Sequence, residues 1–219
     1  VMAVSRSEAE LADLGVDYTV ADLGTVEGCT LAVEDTVTRL GPVEIFVCNH
    51  GIGSAHERVI WEQDPDTWSE TMRINLDGPF HLSRLLLRGM VERNYGRVVY
   101  TSSTAARHAE PAGSAYNCSK HGLLGLMRSV ARDGGAHGVT SNAVLPGWVR
   151  TEMAERSAHA EARDRGVSPQ EIWKERDAMY LPGRVVTPRE VAEVITFLAS
   201  EESGGVSGQA ITVALGSER

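Results

Sequence analysis

The chain alternates short apolar runs with longer amphipathic segments, and this alternation restricts its possible folds more than any other feature. Apolar runs of about four to eight residues predict buried strands, and an apolar period of three to four residues predicts helices. Strands that alternate with helices indicate parallel β-α-β units, whose right-handed crossovers place helices on both faces of one sheet. The sequence therefore predicts an α/β fold with a doubly wound, mostly parallel sheet. We predict strands at 1–5, 17–21, 43–48, 97–102, 140–145 and 210–213, and helices at 7–13, 25–40, 66–94, 114–134 and 187–200.

One polar segment interrupts the alternation. At 219 residues the chain has the size of a single domain. The segment at about 152–186 is mainly helical in pattern, and it precedes a helix that Thr187 and Glu190 begin with a capping box. Long insertions at the carboxyl edge of a parallel sheet often cover a ligand crevice. We therefore expect one domain over 1–219, with a lid at about 152–186.

Charge and cysteine content exclude several classes of function. A net charge of −9 argues against nucleic acid or an anionic membrane as a partner. No apolar run approaches the roughly 20 residues of a membrane-spanning helix, and no signal-peptide pattern is present. Cys29, Cys48 and Cys118 are odd in number and lack metal-ligand spacing. We therefore expect no metal site, and we expect reduced thiols in a cytoplasmic protein.

The stretch "SAYNCSKHG", residues 114–122, places Tyr116 and Lys120 four residues apart in a predicted helix. At this spacing both side chains share one helix face, with Cβ atoms roughly 5–6 Å apart. A nearby ammonium favours the phenolate, and lowering a tyrosine pKa by about 3 units needs about 4 kcal/mol. Such a pair can act as a general acid or base, although the same spacing also occurs between ordinary helix residues.

Polar residues elsewhere in the chain favour the chemical interpretation. Ser103 lies thirteen residues before Tyr116, at the end of the strand "RVVYTSS", where parallel sheets bind ligands. Asn75 lies within the long predicted helix, in "MRINLDGPF". Two further strands end in "FVCNHG" and in the turn formed by Pro146 and Gly147.

Together these residues resemble the pattern of the short-chain dehydrogenase/reductase family, over the whole chain. That family has a serine thirteen residues before a Tyr-x-x-x-Lys motif, an Asn-Asn-Ala-Gly turn, a helix asparagine and a Pro-Gly turn followed by threonine. The resemblance implies a Rossmann-like fold and an enzyme that interconverts a ketone and a secondary alcohol by hydride transfer with NAD or NADP. It also implies a homotetramer or homodimer through the helices at 66–94 and 114–134.

The resemblance implies four catalytic residues. Tyr116 would give or take the alcohol proton, and Ser103 would polarise the substrate oxygen. Lys120 would lower the tyrosine pKa and bind the nicotinamide ribose, and Asn75 would hold a water that links Lys120 to solvent.

The resemblance further implies cofactor contacts along the carboxyl edge of the sheet. They are Asp22 beside the adenine, Asn49 and Gly51 at the adenine ribose, the Pro146 and Gly147 turn, and Val149 and Thr151 at the nicotinamide amide. The first strand ends in Ser5, Arg6 and Ser7. An acidic residue at this place selects NAD, whereas arginine and small hydroxyl residues suit the 2′-phosphate of NADP. We therefore predict NADP, with NAD as the alternative and a solvent-facing Arg6 as the competing interpretation.

Two departures from the family pattern stand out. The turn has Cys48 and His50 where the family usually has asparagine and alanine. The chain also lacks the glycine-rich Gly-x-x-x-Gly-x-Gly loop that holds the cofactor pyrophosphate. Because the strand at 1–5 resembles the family's second strand, we expect a first β-α unit of about three or four dozen residues to be missing from the chain, through truncation or disorder.

The substrate is less constrained by the sequence. Substrate-facing candidates are Arg107, His108, Trp148, His159 and the lid arginines, and the lid resembles those of 3-hydroxybutyrate dehydrogenases and 3-oxoacyl reductases. These cations suit a carboxylate or a polyketide-like acid, or they form an ordinary solvated surface. Three hypotheses stay open: an NADP-dependent ketone/alcohol oxidoreductase, an NAD-dependent 3-hydroxy acid dehydrogenase, and a non-catalytic binding or assembly subunit.

Overall fold

The structure is a computed structural model that describes residues 1–54 and 58–217. Its strands are β1 (Met2–Ser5), β2 (Asp17–Val20), β3 (Ile45–Cys48), β4 (Gly96–Thr101), β5 (Val139–Pro146) and β6 (Ala210–Val213). Its helices are α1 (Glu8–Ala12), α2 (Val26–Leu40), α3 (Pro65–Met72), α4 (Gly78–Arg93), α5 (Ser114–Gly134), α6 (Glu152–Arg165), α7 (Pro169–Ala178) and α8 (Pro188–Ala199). Each predicted strand and helix is confirmed, with ends that agree within two residues. The predicted helix at 66–94 consists of α3 and α4, joined by a π-helical turn at Arg73–Asp77.

All described strand pairs are parallel, and the sheet is built in two parts. One part has the order β2-β1 and the other has the order β3-β4-β5-β6. Among the described residues β1 and β3 each pair on one side only, and both line the same cleft. Ile45 and Val47 of β3 stay exposed at this edge. The predicted fold class, a parallel Rossmann-like sheet flanked by helices, is confirmed; the absence of a first β-α unit stays a prediction.

The central strands are apolar on both faces because helices cover both faces of the sheet. On β4, Val98 and Tyr100 pack into a core with α4 and α5, whereas Val99 packs with Leu198 of α8 on the other face. This alternation follows the two-residue period of a strand. The carboxyl ends of β4 and β5 are thereby fixed between two rigid layers.

The lid is helical, as predicted, and consists of α6 and α7. The small residues Ala154, Ala158 and Ala162 face α7, so the two helices approach closely around Ile172 and Trp173. Capping boxes begin both α7, at Ser168 and Glu171, and α8, at the predicted Thr187 and Glu190. Among the described residues, no helix is both long and apolar enough to cross a bilayer.

Helix α8 allows a direct test of the packing. Leu198 is 0% exposed and its neighbour Phe197 is 47% exposed, so the two side chains lie on different faces of one helix. We expect Leu198→Ala to lower the free energy of unfolding by about 2–5 kcal/mol, because it leaves a cavity under the sheet. Phe197→Ala is the matched control and should cost less than about 1 kcal/mol. Urea unfolding measures both, and equal losses would contradict this packing.

Candidate functional site

Helix α5 carries the tyrosine and lysine of the predicted catalytic pair. The Lys120 side chain is buried, and its Nζ donates a hydrogen bond of 3.0 Å to the carbonyl oxygen of Thr101, at the end of β4. The same Nζ lies 5.6 Å from the centre of the Tyr116 ring, which is partly exposed to the cleft. The four-residue spacing therefore places the ammonium and the phenol side by side, as the helix geometry predicted.

Ser103 follows β4 and begins a short 3-10 turn at Thr104–Ala106. Its Oγ accepts a hydrogen bond of 3.1 Å from the amide of Ala105. Ser103, Tyr116 and Lys120 all line the same cleft, at the carboxyl edge of the sheet. The structure therefore brings together three residues that are up to seventeen positions apart in sequence.

Asn75 lies behind the cleft instead of lining it. Its Oδ1 accepts a hydrogen bond of 2.8 Å from the amide of Ile52, and its Nδ2 donates to the Ile52 carbonyl at 2.9 Å and to Ser119 Oγ at 3.2 Å. Asn75 occupies the π-helical turn, a feature that is frequent at functional sites. Its carboxamide thus clamps the turn after β3 to α5, and its role in holding water stays a prediction.

The turn after β3 passes close to Lys120, the predicted catalytic lysine. A Cβ atom at position 51 would lie 3.1 Å from Asn75 Oδ1 and 3.5 Å from Lys120 Nζ, so Gly51 permits this approach. Asn49 is exposed in the cleft, whereas the ring of His50 turns inward, with Nδ1 at 3.7 Å from Cys48 Sγ.

Burial keeps the two unusual residues of this turn uncharged. Desolvation lowers the pKa of His50 to about 4, and the nearby Lys120 ammonium acts in the same direction. Desolvation also raises the pKa of the Cys48 thiol to about 12. The residues that replace the family's asparagine and alanine therefore add no charge beside the lysine at neutral pH.

The predicted adenine end of the cleft lies where β1 and β2 finish. Arg6 and Asp22 line the cleft, whereas Ser7 does not. The Asp22 carboxylate accepts a hydrogen bond of 2.9 Å from the Gly24 amide and binds Arg73 Nη1 at 3.2 Å. The Gly24 bond is the main cause that lowers the pKa of Asp22, and Arg73 and Arg6 add to it. Asp22 thus ties β2 to the turn that carries Asn75, which the sequence pattern did not indicate.

The loop after β5 holds the predicted nicotinamide contacts. Pro146, Gly147, Val149 and Thr151 all line the cleft. Thr151 also begins α6, because its Oγ1 accepts a hydrogen bond of 3.3 Å from the Ala154 amide. The Trp148 amide donates a hydrogen bond of 2.5 Å to the hydroxyl of Tyr180. Sequence reasoning missed Tyr180, since nothing in the pattern relates it to a loop 32 residues earlier.

Arginine and histidine side chains border the part of the cleft between the turn after β4 and α6. Arg107 and His108 approach from the turn after β4, and Arg156, His159 and Arg163 approach from α6. The cleft has a volume of about 2620 Å³, which exceeds the roughly 300–1,000 Å³ of a pocket for one small ligand. This volume includes the space along the edges of β1 and β3 as well as the region around Tyr116. Among residues 1–54 and 58–217, no group of three His, Cys, Asp or Glu side chains suits a metal ion.

Known proteins are similar in sequence over nearly the whole chain. A family model described as enoyl-(acyl carrier protein) reductase matches residues 2–218. The chain is 30% identical over 202 residues to the acetoacetyl-CoA reductase of Shinella zoogloeoides, covering 92% of this chain and 78% of that protein. It is 32% identical over 207 residues to the D-beta-hydroxybutyrate dehydrogenase of Cupriavidus necator, covering 92% of this chain and 80% of that protein.

Solved structures with the same fold agree with these sequence matches. Levodione reductase superposes with a TM-score of 0.92 at 27% identity, over 98% of this chain and 86% of that one. An actinorhodin polyketide ketoreductase with NADPH superposes with a TM-score of 0.89 at 30% identity, over 99% of this chain and 86% of that one.

The partly buried ring of His50 predicts a specific pH dependence of stability. Its pKa is about 4 when folded and near 6.5 when unfolded, so between these values the unfolded chain binds more protons. The free energy of unfolding therefore falls as pH drops through this window, and His50 contributes no pH dependence above it. We expect His50→Ala to remove about 2 kcal/mol of the stability loss between about pH 7 and pH 5.

Urea unfolding at both pH values measures this effect. His137→Ala is the control, because His137 is exposed and its removal should leave the pH dependence unchanged. Identical pH profiles for the wild-type protein and His50→Ala would contradict a neutral, enclosed His50.

Proposed function

Because this chain belongs to the short-chain dehydrogenase/reductase family, we propose that it is an NAD(P)-dependent oxidoreductase that interconverts a ketone and a secondary alcohol. The observation that carries the proposal is the grouping of Ser103, Tyr116 and Lys120 around one cleft, at the carboxyl ends of parallel strands. The cofactor supplies or accepts the hydride, and the protein positions the reactants and handles the proton.

In the reducing direction, Tyr116 donates its phenolic proton to the substrate oxygen. The Ser103 hydroxyl donates a hydrogen bond to the same oxygen, where negative charge develops. The Lys120 ammonium stabilises the resulting tyrosinate by charge attraction, and its bond to the Thr101 carbonyl fixes its position. An ammonium has three N–H donors, so Lys120 can also bind a cofactor ribose.

Asn75 supports this site from the side that faces away from the cleft. Its carboxamide holds Ile52 and Ser119, and we propose that this clamp also orders a water between Lys120 and solvent. Such a water would return the proton to Tyr116 after each turnover.

We propose NADP as the preferred cofactor. Arg6 ends β1 beside the cleft, where a planar guanidinium can bind a 2′-phosphate through two hydrogen bonds. The remaining proposed contacts that line the cleft are Asp22 at the adenine, Asn49 and Gly51 at its ribose, and Pro146, Gly147, Val149 and Thr151 at the nicotinamide, whereas the predicted contact Ser7 does not line it. The similar ketoreductase structure with NADPH supports this choice.

One alternative is an NAD-dependent 3-hydroxy acid dehydrogenase. The similarity to a D-beta-hydroxybutyrate dehydrogenase favours this alternative. The arginines of α6 that line the cleft also favour it, because a guanidinium suits a small carboxylate. Steady-state kinetics with both cofactors, on acetoacetyl-CoA and on 3-hydroxybutyrate, separate the two activities.

We further propose a single domain that works in the cytoplasm as a homotetramer or homodimer. Cys29, Cys48 and Cys118 are free thiols, which suits a reducing compartment. Trp68 and Phe80 are exposed on α3 and α4, and large exposed apolar side chains of this kind are typical of subunit interfaces.

The proton-transfer role of Tyr116 can be tested with protein expressed from its complete gene. We expect Tyr116→Phe to lower kcat by at least about 10²-fold, because the ring loses the group that transfers the proton. NADPH affinity, measured by fluorescence titration, should change little. Tyr95→Phe is the control, since Tyr95 lies at the opposite end of β4 and should keep full activity. Retained turnover in Tyr116→Phe would refute the assignment, and no cofactor binding by the wild type would favour a non-catalytic subunit.

The proposed role of Arg6 predicts that its removal raises the KM for NADPH but not the KM for NADH. Arg6→Ala removes charge-assisted hydrogen bonds to a 2′-phosphate, so the KM for NADPH should rise about 10- to 100-fold while the KM for NADH stays the same. Arg128→Ala, which removes an exposed arginine from α5, should leave both values unchanged. Equal effects of Arg6→Ala on both cofactors would argue against NADP selection by Arg6.

A further inference from the structure

The loop that follows β5 is held at several consecutive backbone groups by residues outside it. The Gly147 amide donates to the Val213 carbonyl at 3.1 Å, and the Val186 amide donates to the Trp148 carbonyl at 3.0 Å. The Arg150 amide donates to the Val186 carbonyl at 3.4 Å. Between these bonds, the Trp148 amide donates to Tyr180 Oη at 2.5 Å. Of these four bonds, this last one is made to a side chain of the lid.

Tyr180 is buried against the loop as well as bonded to it. It follows α7 and is 5% exposed. A Cβ atom at position 147 would lie 3.0 Å from Cε1 and 3.1 Å from Cζ of its ring. Gly147 therefore allows the tyrosine ring to lie directly against the backbone where β5 ends.

A buried arginine connects the same loop to both lid helices. The Arg176 guanidinium lies 3.6 Å from the centre of the Trp148 ring, and the Arg176 side chain is 3% exposed. Arg176 also donates to the Ala154 carbonyl at 3.1 Å and binds Glu161 of α6 at 3.0 Å. Lid and loop thus form one packed unit in which Tyr180 contacts the backbone.

We propose that Tyr180 is a positioning residue for hydride transfer: its hydroxyl holds the Trp148 amide and so fixes Gly147–Thr151 relative to Tyr116. This role rests on the proposed function, in which Val149 and Thr151 contact the nicotinamide. Without the hydroxyl, the loop keeps its neighbouring bonds but loses the anchor at its centre. A displacement of about 1 Å at the reacting atoms can lower a rate by about 10²-fold, although a hydrogen bond contributes little to folding.

The test compares Tyr180→Phe with Tyr100→Phe, using NADPH and a ketone that the wild-type protein reduces. Tyr100 is an apt control because it is also buried and its Oη lies 2.5 Å from Ser83 Oγ, beneath α4. We expect Tyr180→Phe to lower kcat about 10-fold or more and to raise the isotope effect with deuterated NADPH, while KM for the ketone changes little. Tyr100→Phe should lose similar stability and keep its kcat.

The possible outcomes distinguish a positioning role of Tyr180 from a purely structural one. If Tyr180→Phe and Tyr100→Phe lose similar stability and both keep kcat and the isotope effect, Tyr180 is structural only. If Tyr180→Phe does not fold, Gly147→Ala provides a second test, because the added methyl group pushes the Tyr180 ring away from the loop. Full activity of Gly147→Ala would overturn the proposal. A wild-type protein that reduces no ketone would overturn the proposed function itself, and this role with it.

Discussion

The candidate site depends on one buried ammonium group. Lys120 lies on α5, yet its Nζ bonds to the carbonyl oxygen of Thr101 on the neighbouring strand. A buried charge is costly unless it is paired or hydrogen-bonded, so this bond restricts how helix and strand can pack. Tyr116, one helical turn earlier, is thereby fixed at the mouth of the cleft. The turn after β3 lies against the same group: Gly51 leaves room there for Asn75 and Lys120, and Lys120 adds to the desolvation that lowers the pKa of His50.

Two sets of polar contacts connect the residues around Lys120 to other elements. Asn75 uses its whole carboxamide to bind Ile52 and Ser119, which holds the β3 turn against α5. Arg73, two residues earlier in the same π-helical turn, binds Asp22 at the end of β2. The π-helical turn therefore contacts the β3 turn, α5 and the end of β2, and turns of this kind are frequent at functional sites. On the far side, Tyr180 and Arg176 attach the lid to the loop after β5.

Much of this arrangement follows from local sequence pattern. The strands and helices were predictable because apolar period, capping residues and turn residues act over a few positions. The grouping of Ser103, Tyr116 and Lys120 at one cleft was predictable because Tyr116 and Lys120 share a helix face, Ser103 ends a strand, and the family resemblance relates all three. Asn75 was identified as a site residue, but its contacts with Ile52 and Ser119 were not, since they depend on how separate elements pack. Tyr180 was missed for the same reason.

By itself, then, the sequence determined the parallel α/β fold, and it predicted a lid and the residues that transfer the proton. Only the tertiary structure decided which groups surround them: the Thr101 carbonyl that holds Lys120, the burial that keeps His50 uncharged, and the hydroxyl of Tyr180 on the Trp148 amide. The physical reason is the range of the interactions. Periodicity and capping act between near neighbours in the chain, whereas desolvation and side-chain hydrogen bonds depend on atoms that meet only after the elements have packed.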